Sequence, residues 1–153
     1  MVVLNARLYR ISAVRTNLNR VDFRPYCSRD QLSNSLPEGH LGLVTQNPAT
    51  TGSIVPSKVY GIMAAGRPLL YIGSPRAMPA RIIDRFNCGW YVEAGASDEL
   101  VDLLTRLAQR PNELREAGAR ARQAFLDHLD RRLGVDQIIS ILGAKPHRVA
   151  ASA

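Results

Sequence analysis

A chain of 153 residues, 46% apolar and 22% charged, carries enough material for one domain with a sizeable core, which excludes a wholly disordered chain, a collagen and a coiled-coil rod. No run approaches the roughly 18 apolar residues of a membrane-spanning helix, and the opening MVVLNARLYRISAVR lacks the basic-then-apolar order and cleavage site of a secretory signal, so a cytoplasmic protein is expected. The net charge is +7, from 18 Arg and 2 Lys against 13 acids, but the arginines are dispersed and aromatics make up only 6%, so no nucleic-acid partner is expected.

Residues 1–19 show no clean period and read as an irregular segment to about residue 18. Arg20 to Arg24 alternates apolar and polar residues until Pro25 stops it, a short strand near 21–24. Ser28 is placed to cap a helix running to about Leu36. Leu41 to Thr45 is a continuous apolar run, the signature of a strand buried on both faces. A polar loop, Gln46 to Ser53, leads to a helix predicted from Ser57, with Gly66 closing its C-terminal end. A strand is predicted at 69–72, a helix from about Pro79 to Phe86, and a strand at 90–92. Ser97 with Asp98 and Glu99 marks a further helix start, carrying Leu100, Leu103, Leu104 and Leu107 on one stripe. Pro111 opens another helix, with Leu114, Ala117, Ala121, Ala124 and Phe125 as its apolar positions, and a last helix is predicted over about Val135 to Leu142. The tail from residue 143 to 153 is small and polar and reads as disordered.

Strands separated by about 20–28 residues, each step long enough for a crossover helix, predict an open parallel sheet of about four strands with helices on both faces. Ligands of such sheets bind outside the carboxyl ends of the strands. Two segments leave those ends. One is Pro25-Tyr26-Cys27, after the first strand. The other runs from Thr50 to Lys58 and enters a helix. The second has the parts of an anion site: Gly52 allows close backbone approach, Pro56 sits where a missing N–H costs nothing, Ser57 offers a hydroxyl, and Lys58 a mobile charge. An ordinary helix start with a solvated lysine has the same local composition. Gly61 in the helix interior costs about 1 kcal/mol relative to alanine, which points to close approach of a neighbouring element or of a ligand. There is no Walker loop and no GxGxxG.

The segment PSKVYGIMAAGRPLLYIG resembles the C-terminal, nucleotide-sugar-binding domain of GT-B glycosyltransferases of the retaining family 4 type, the glycosyl transferases group 1. VDFRPYCSRDQL, HLGLVTQ and CGWYVEAGASDELVDLLTRLAQRPNELREAGARAR are similar to further motifs of that family, in the family's order. The resemblance runs from about Asn19 to Leu142. It implies a Rossmann-like donor domain over 19–142 that holds a nucleotide-diphosphate sugar and faces an acceptor domain across a cleft, with retaining transfer that needs no obligatory metal and no other cofactor. By position it implies Tyr26 and Cys27 beside the nucleobase, Gly52 and Ser53 near the sugar and distal phosphate, Ser57 and Lys58 on the diphosphate, and Gly61 at the ribose. The role implied for the helix start is stabilisation of the departing diphosphate.

Two departures qualify the match. The family's paired glutamates fall at Ser53 and Gly61, so the resemblance names neither a ribose-binding carboxylate nor a catalytic residue here. The acceptor domain and the opening strand-loop of the donor domain are also missing from the 153 residues. The expected function is therefore that of the C-terminal donor-binding part of a nucleotide-sugar-dependent glycosyltransferase, which transfers a hexose to a polysaccharide, lipid-linked or small acceptor in cell-surface polysaccharide synthesis. A peripheral position on the inner membrane is compatible with it. The alternative is an inactive remnant or interaction domain that retains nucleotide-diphosphate binding.

Other residues invite blander readings. Cys27 and Cys88 stand alone, without metal-ligand spacing, as reduced space-filling thiols. His40, His128 and His147 share no motif. Asp98, Glu99, Glu113 and Glu116 are explained by helix dipoles, Trp90 and Tyr91 by strand packing, and Arg81 and Arg85 by a solvated helix face.

Overall fold

The computed structural model describes residues 39–143, together with the backbone of two short strands at 4–5 and 23–24. The predicted helix after Ser28, the pair Tyr26 and Cys27, and the tail 144–153 lie outside the described residues. Among those described, no helix is long and apolar enough to cross a membrane.

Among the described residues there are five short strands, all parallel, in two groups. Strand β1 (Leu4–Asn5) pairs with β2 (Phe23–Arg24). Strands β3 (Gly42–Thr45), β4 (Leu69–Ile72) and β5 (Gly89–Val92) form a three-stranded sheet in the order β3-β4-β5. This corrects the count of about four strands in one sheet: the strand read at 21–24 is two residues long and pairs with Leu4–Asn5, inside the segment that shows no period. The other strands fall where they are predicted, within a residue. The register sets Leu43, Leu70 and Trp90 side by side, with Val44, Tyr71 and Tyr91 as the next row on the opposite face.

The crossovers are helix α1 (Lys58–Ala64) between β3 and β4, and helix α2 (Met78–Phe86) between β4 and β5. Helix α1 buries Val59, Ile62 and Met63, the i, i+3, i+4 stripe of one face, and α2 buries Pro79, Ala80, Ile82 and Ile83. Both stripes join Val44, Leu69, Tyr71 and Cys88 in one core. Leu70, on the other face of the central strand, is also buried, as a continuous apolar run requires. Gly66, in left-handed backbone (φ 67°) just past α1, ends that helix as predicted. Gly89 allows β5 to lie against β4: a methyl group there would collide with the backbone of Leu69.

Helix α3 (Ser97–Ala108) begins at Ser97 itself, so Ser97 is its first residue rather than its cap. The cap position falls on Ala96, with no side-chain bond. Of the predicted leucine stripe only Leu107 is buried, while Leu104 is exposed. Helix α4 (Pro111–Ala124) buries Ala117, Gly118, Ala121 and Ala124 and continues into a π-helical turn, Phe125–Leu129. Helix α5 (Arg131–Ile141) starts four residues earlier than predicted because the Asp130 carboxylate accepts the Arg132 N–H at 2.8 Å.

Candidate functional site

The loop between β3 and α1 leaves the carboxyl end of the sheet and carries four of the predicted donor-binding residues. Its shape is set by a side chain that the motif reading passes over. Gln46, at the end of β3, is buried among these mostly exposed residues. Its Nε2 donates to the carbonyls of Thr50 at 3.2 Å and Ile54 at 2.9 Å, and its Oε1 accepts the Tyr71 hydroxyl at 3.1 Å. The loop is thus tethered to the central strand through one glutamine. Burial raises the Tyr71 phenol above its ordinary pKa, while a backbone hydrogen bond at Ser74 acts in the opposite direction. Tyr71→Phe leaves Gln46 Oε1 buried without its donor and is expected to cost roughly 1–2 kcal/mol. Urea melts, together with faster hydrogen exchange in residues 50–54, are the check; unchanged exchange would mean the tether does not hold the loop.

A short 3-10 turn, Pro48–Thr50, begins the loop, with the Asn47 side chain accepting the Ala49 N–H at 3.0 Å. Gly52 follows in left-handed backbone (φ 88°) with open space around it. Ser53, Ser57 and Lys58 are exposed, and Gly61 is half-buried on α1. Ser57, Lys58 and Gly61 lie on one side of the helix start, since positions three and four apart face each other.

The N–H groups at the entry to α1 are not all free. Val59 N–H donates to Pro56 O and Tyr60 N–H to Ser57 O, both at 3.2 Å, while Ser53 and Ile54 N–H both turn to Thr50 O. The tight entry to α1 consumes them. Among the described residues the N–H groups of Gly52, Val55, Ser57 and Lys58 have no protein acceptor. With a helix of only seven residues, the Lys58 ammonium and these few amides carry what anion attraction the loop has.

The nucleobase-side residues Tyr26 and Cys27 lie outside the described residues. A cavity of about 590 Å³ lies elsewhere: it opens along β5 between α2 and α3 and is lined by none of the predicted donor-binding residues. Trp90 and Tyr91 are half-buried on its wall.

Several basic groups have structural duties. Arg122 NH1 donates to Ala64 O at the end of α1, Arg120 Nε to Asn87 O at 2.6 Å just past α2, and Arg106 pairs with Glu113 at 2.7 Å. Arg85 lies over the Phe86 ring, which stacks on His128 at 5.3 Å. Cys88 is buried; burial pushes its thiol up to about 11, with opposing effects of a backbone hydrogen bond and of Arg120. Such a thiol is inert at neutral pH. No group of three or more His, Cys, Asp or Glu side chains capable of holding a metal ion occurs among the described residues.

No protein-family model matches the sequence. No curated protein matches it either. Among solved structures, WaaG, a glycosyltransferase involved in lipopolysaccharide biosynthesis, superimposes with a TM-score of 0.66 at 18% identity. The match covers 93% of this chain and 37% of the WaaG chain, so the chain spans little more than a third of that protein's length. The chain has the fold of that part of a GT-B glycosyltransferase.

Proposed function

We propose that this chain is the donor-binding part of a nucleotide-sugar-dependent glycosyltransferase of the retaining family 4 type, with the diphosphate held at the β3–α1 loop. The carrying observation is the delivery of exposed Ser53, Ser57 and Lys58 to the carboxyl end of the sheet by a loop tethered to its central strand, in a chain with the fold of WaaG. Ser57 and the unpaired amides donate to phosphate oxygens, and Lys58 opposes the charge that builds on the departing diphosphate. Gly52 and Ser53 border the sugar, and Gly61 leaves room for the ribose. Tyr26 and Cys27 flank the base. No metal or other cofactor takes part in this scheme. The acceptor, a polysaccharide, a lipid-linked glycan or a small molecule at the cytoplasmic membrane surface, is met by an acceptor domain. WaaG's role in lipopolysaccharide biosynthesis supports cell-surface polysaccharide synthesis as the setting.

Titration calorimetry with UDP, GDP, ADP and dTDP tests the site. Lys58→Ala is expected to weaken the best-bound nucleotide roughly tenfold or more, the loss of a charge-assisted contact, while Lys145→Ala leaves it unchanged. Equal affinities for the two variants would remove the assignment.

A second reading is a unit that binds nucleotide diphosphate but turns nothing over by itself. A radiolabelled sugar-transfer assay, with and without a separately expressed acceptor domain, separates the two readings. Transfer by the isolated chain would eliminate the second.

A further inference from the structure

Strand β5 is an edge of the three-stranded sheet among the described residues. Leu69 N–H donates to Cys88 O at 3.0 Å and Gly73 N–H to Val92 O at 3.1 Å, with Leu69 opposite Gly89 and Tyr71 opposite Tyr91. In a parallel ladder this pattern turns the N–H and C=O groups of Trp90 and Val92 toward β4 and those of Gly89 and Tyr91 outward. The outward groups have no partner among the described residues. They face the groove of about 590 Å³ between α2 and α3, whose rim carries Asp84 from α2 and Glu99 and Asp102 from α3. Arg106, the one basic residue on that rim among the described residues, is held by Glu113 at 2.7 Å. The three rim carboxylates have no ion-pair partner among the described residues. A chain of net charge +7 therefore keeps an acidic groove around an open strand edge.

We propose that this groove receives an extended, basic peptide segment of a partner protein, which adds as a further strand on β5. The ladder forms through Gly89 and Tyr91, and the period of two along the added strand brings its arginines or lysines to the rim carboxylates. Main-chain bonds supply the affinity and the acidic rim the selection for basic side chains. Carboxylates beside an open edge also discourage self-association; a groove serving only that purpose binds no peptide.

The probe is acetyl-Arg-Val-Arg-Val-Arg-Val-amide, titrated into the ¹⁵N-labelled chain. Binding is expected to shift the Gly89 and Tyr91 amide resonances and slow their hydrogen exchange about tenfold or more. The Asp84→Asn/Asp102→Asn variant, altered at two exposed side chains, is expected to keep its melting temperature and weaken the peptide about tenfold. Replacing Arg by Glu in the peptide, or methylating every backbone amide, is expected to abolish binding. The proposal fails if no peptide binds up to about 1 mM. It also fails if the methylated peptide binds as tightly as its parent, if the double variant binds undiminished, or if Gly89 and Tyr91 are unaffected.

Discussion

Replacing Gly89 with alanine is expected to destabilise the fold by about 3 kcal/mol or more, the upper range of overpacking. The new methyl group would be driven into the backbone of Leu69, where no rotamer change relieves it. Leu69 is fully buried in the central strand, between β3 and β5, so the strain spreads into both pairings. Gly134→Ala is the matched control. Nothing lies within 4 Å of a methyl group there, and Gly134 sits inside α5. That change is expected to be neutral or to stabilise by up to about 1 kcal/mol through helix propensity. Thermal and urea melts of the two variants give the comparison; equal midpoints would mean that β5 does not approach β4 as closely as described.

The second large effect lies in alkali. The free thiol titrates near 9.0 and the buried Cys88 thiol at about 11. The folded chain holds this proton more tightly than the unfolded chain, so the contribution is fully present below pH 9 and is lost as pH rises toward 11. Between pH 8.5 and 10.5 stability is expected to fall by about 2 kcal/mol on this account. The raised Tyr71 phenol adds to the loss in the same direction above its ordinary pKa of 10.0. Cys88→Ala is less stable at every pH because it leaves a small cavity, but its decline with pH is shallower. Parallel curves for the two proteins in urea titrations at both pH values would sink the prediction.

Sequence and structure agree where a physical signal is local. Leu69–Ile72 is a continuous apolar run bounded by Pro68 and Gly73, and it forms the central strand as read. Val59, Ile62 and Met63 repeat at helical spacing and face the core. Gly66 ends α1 because only a residue tolerant of positive φ fits there. Agreement fails where the signal is short or remote. Leu4–Asn5 is two residues long, too few for any period to show. Ser97 misses its cap role by one residue, since the cap position falls on Ala96 instead, which has no side chain to accept an N–H. The Asp130 cap is followed by Arg131 and Arg132, neither of them the apolar residue that would mark the helix start. Gln46 has the composition of a loop residue, and its burial depends on Tyr71, 25 positions away. The start of α1 was legible, since the helix predicted from Ser57 runs over Lys58–Ala64 with Ser57 at its cap position. The acidic groove was not legible, because Asp84, Gly89, Tyr91 and Asp102 meet only after two helices and a strand are assembled.

Helix α4 reaches across to α1 and α2 with two guanidinium groups, and each lands on a main-chain carbonyl oxygen, Ala64 O or Asn87 O. Neither acceptor can gain a proton in the accessible range, and arginine does not lose one. This clasp is therefore blind to acidity: with no carboxylate in either contact, α4 stays fastened to both crossover helices as the pH falls.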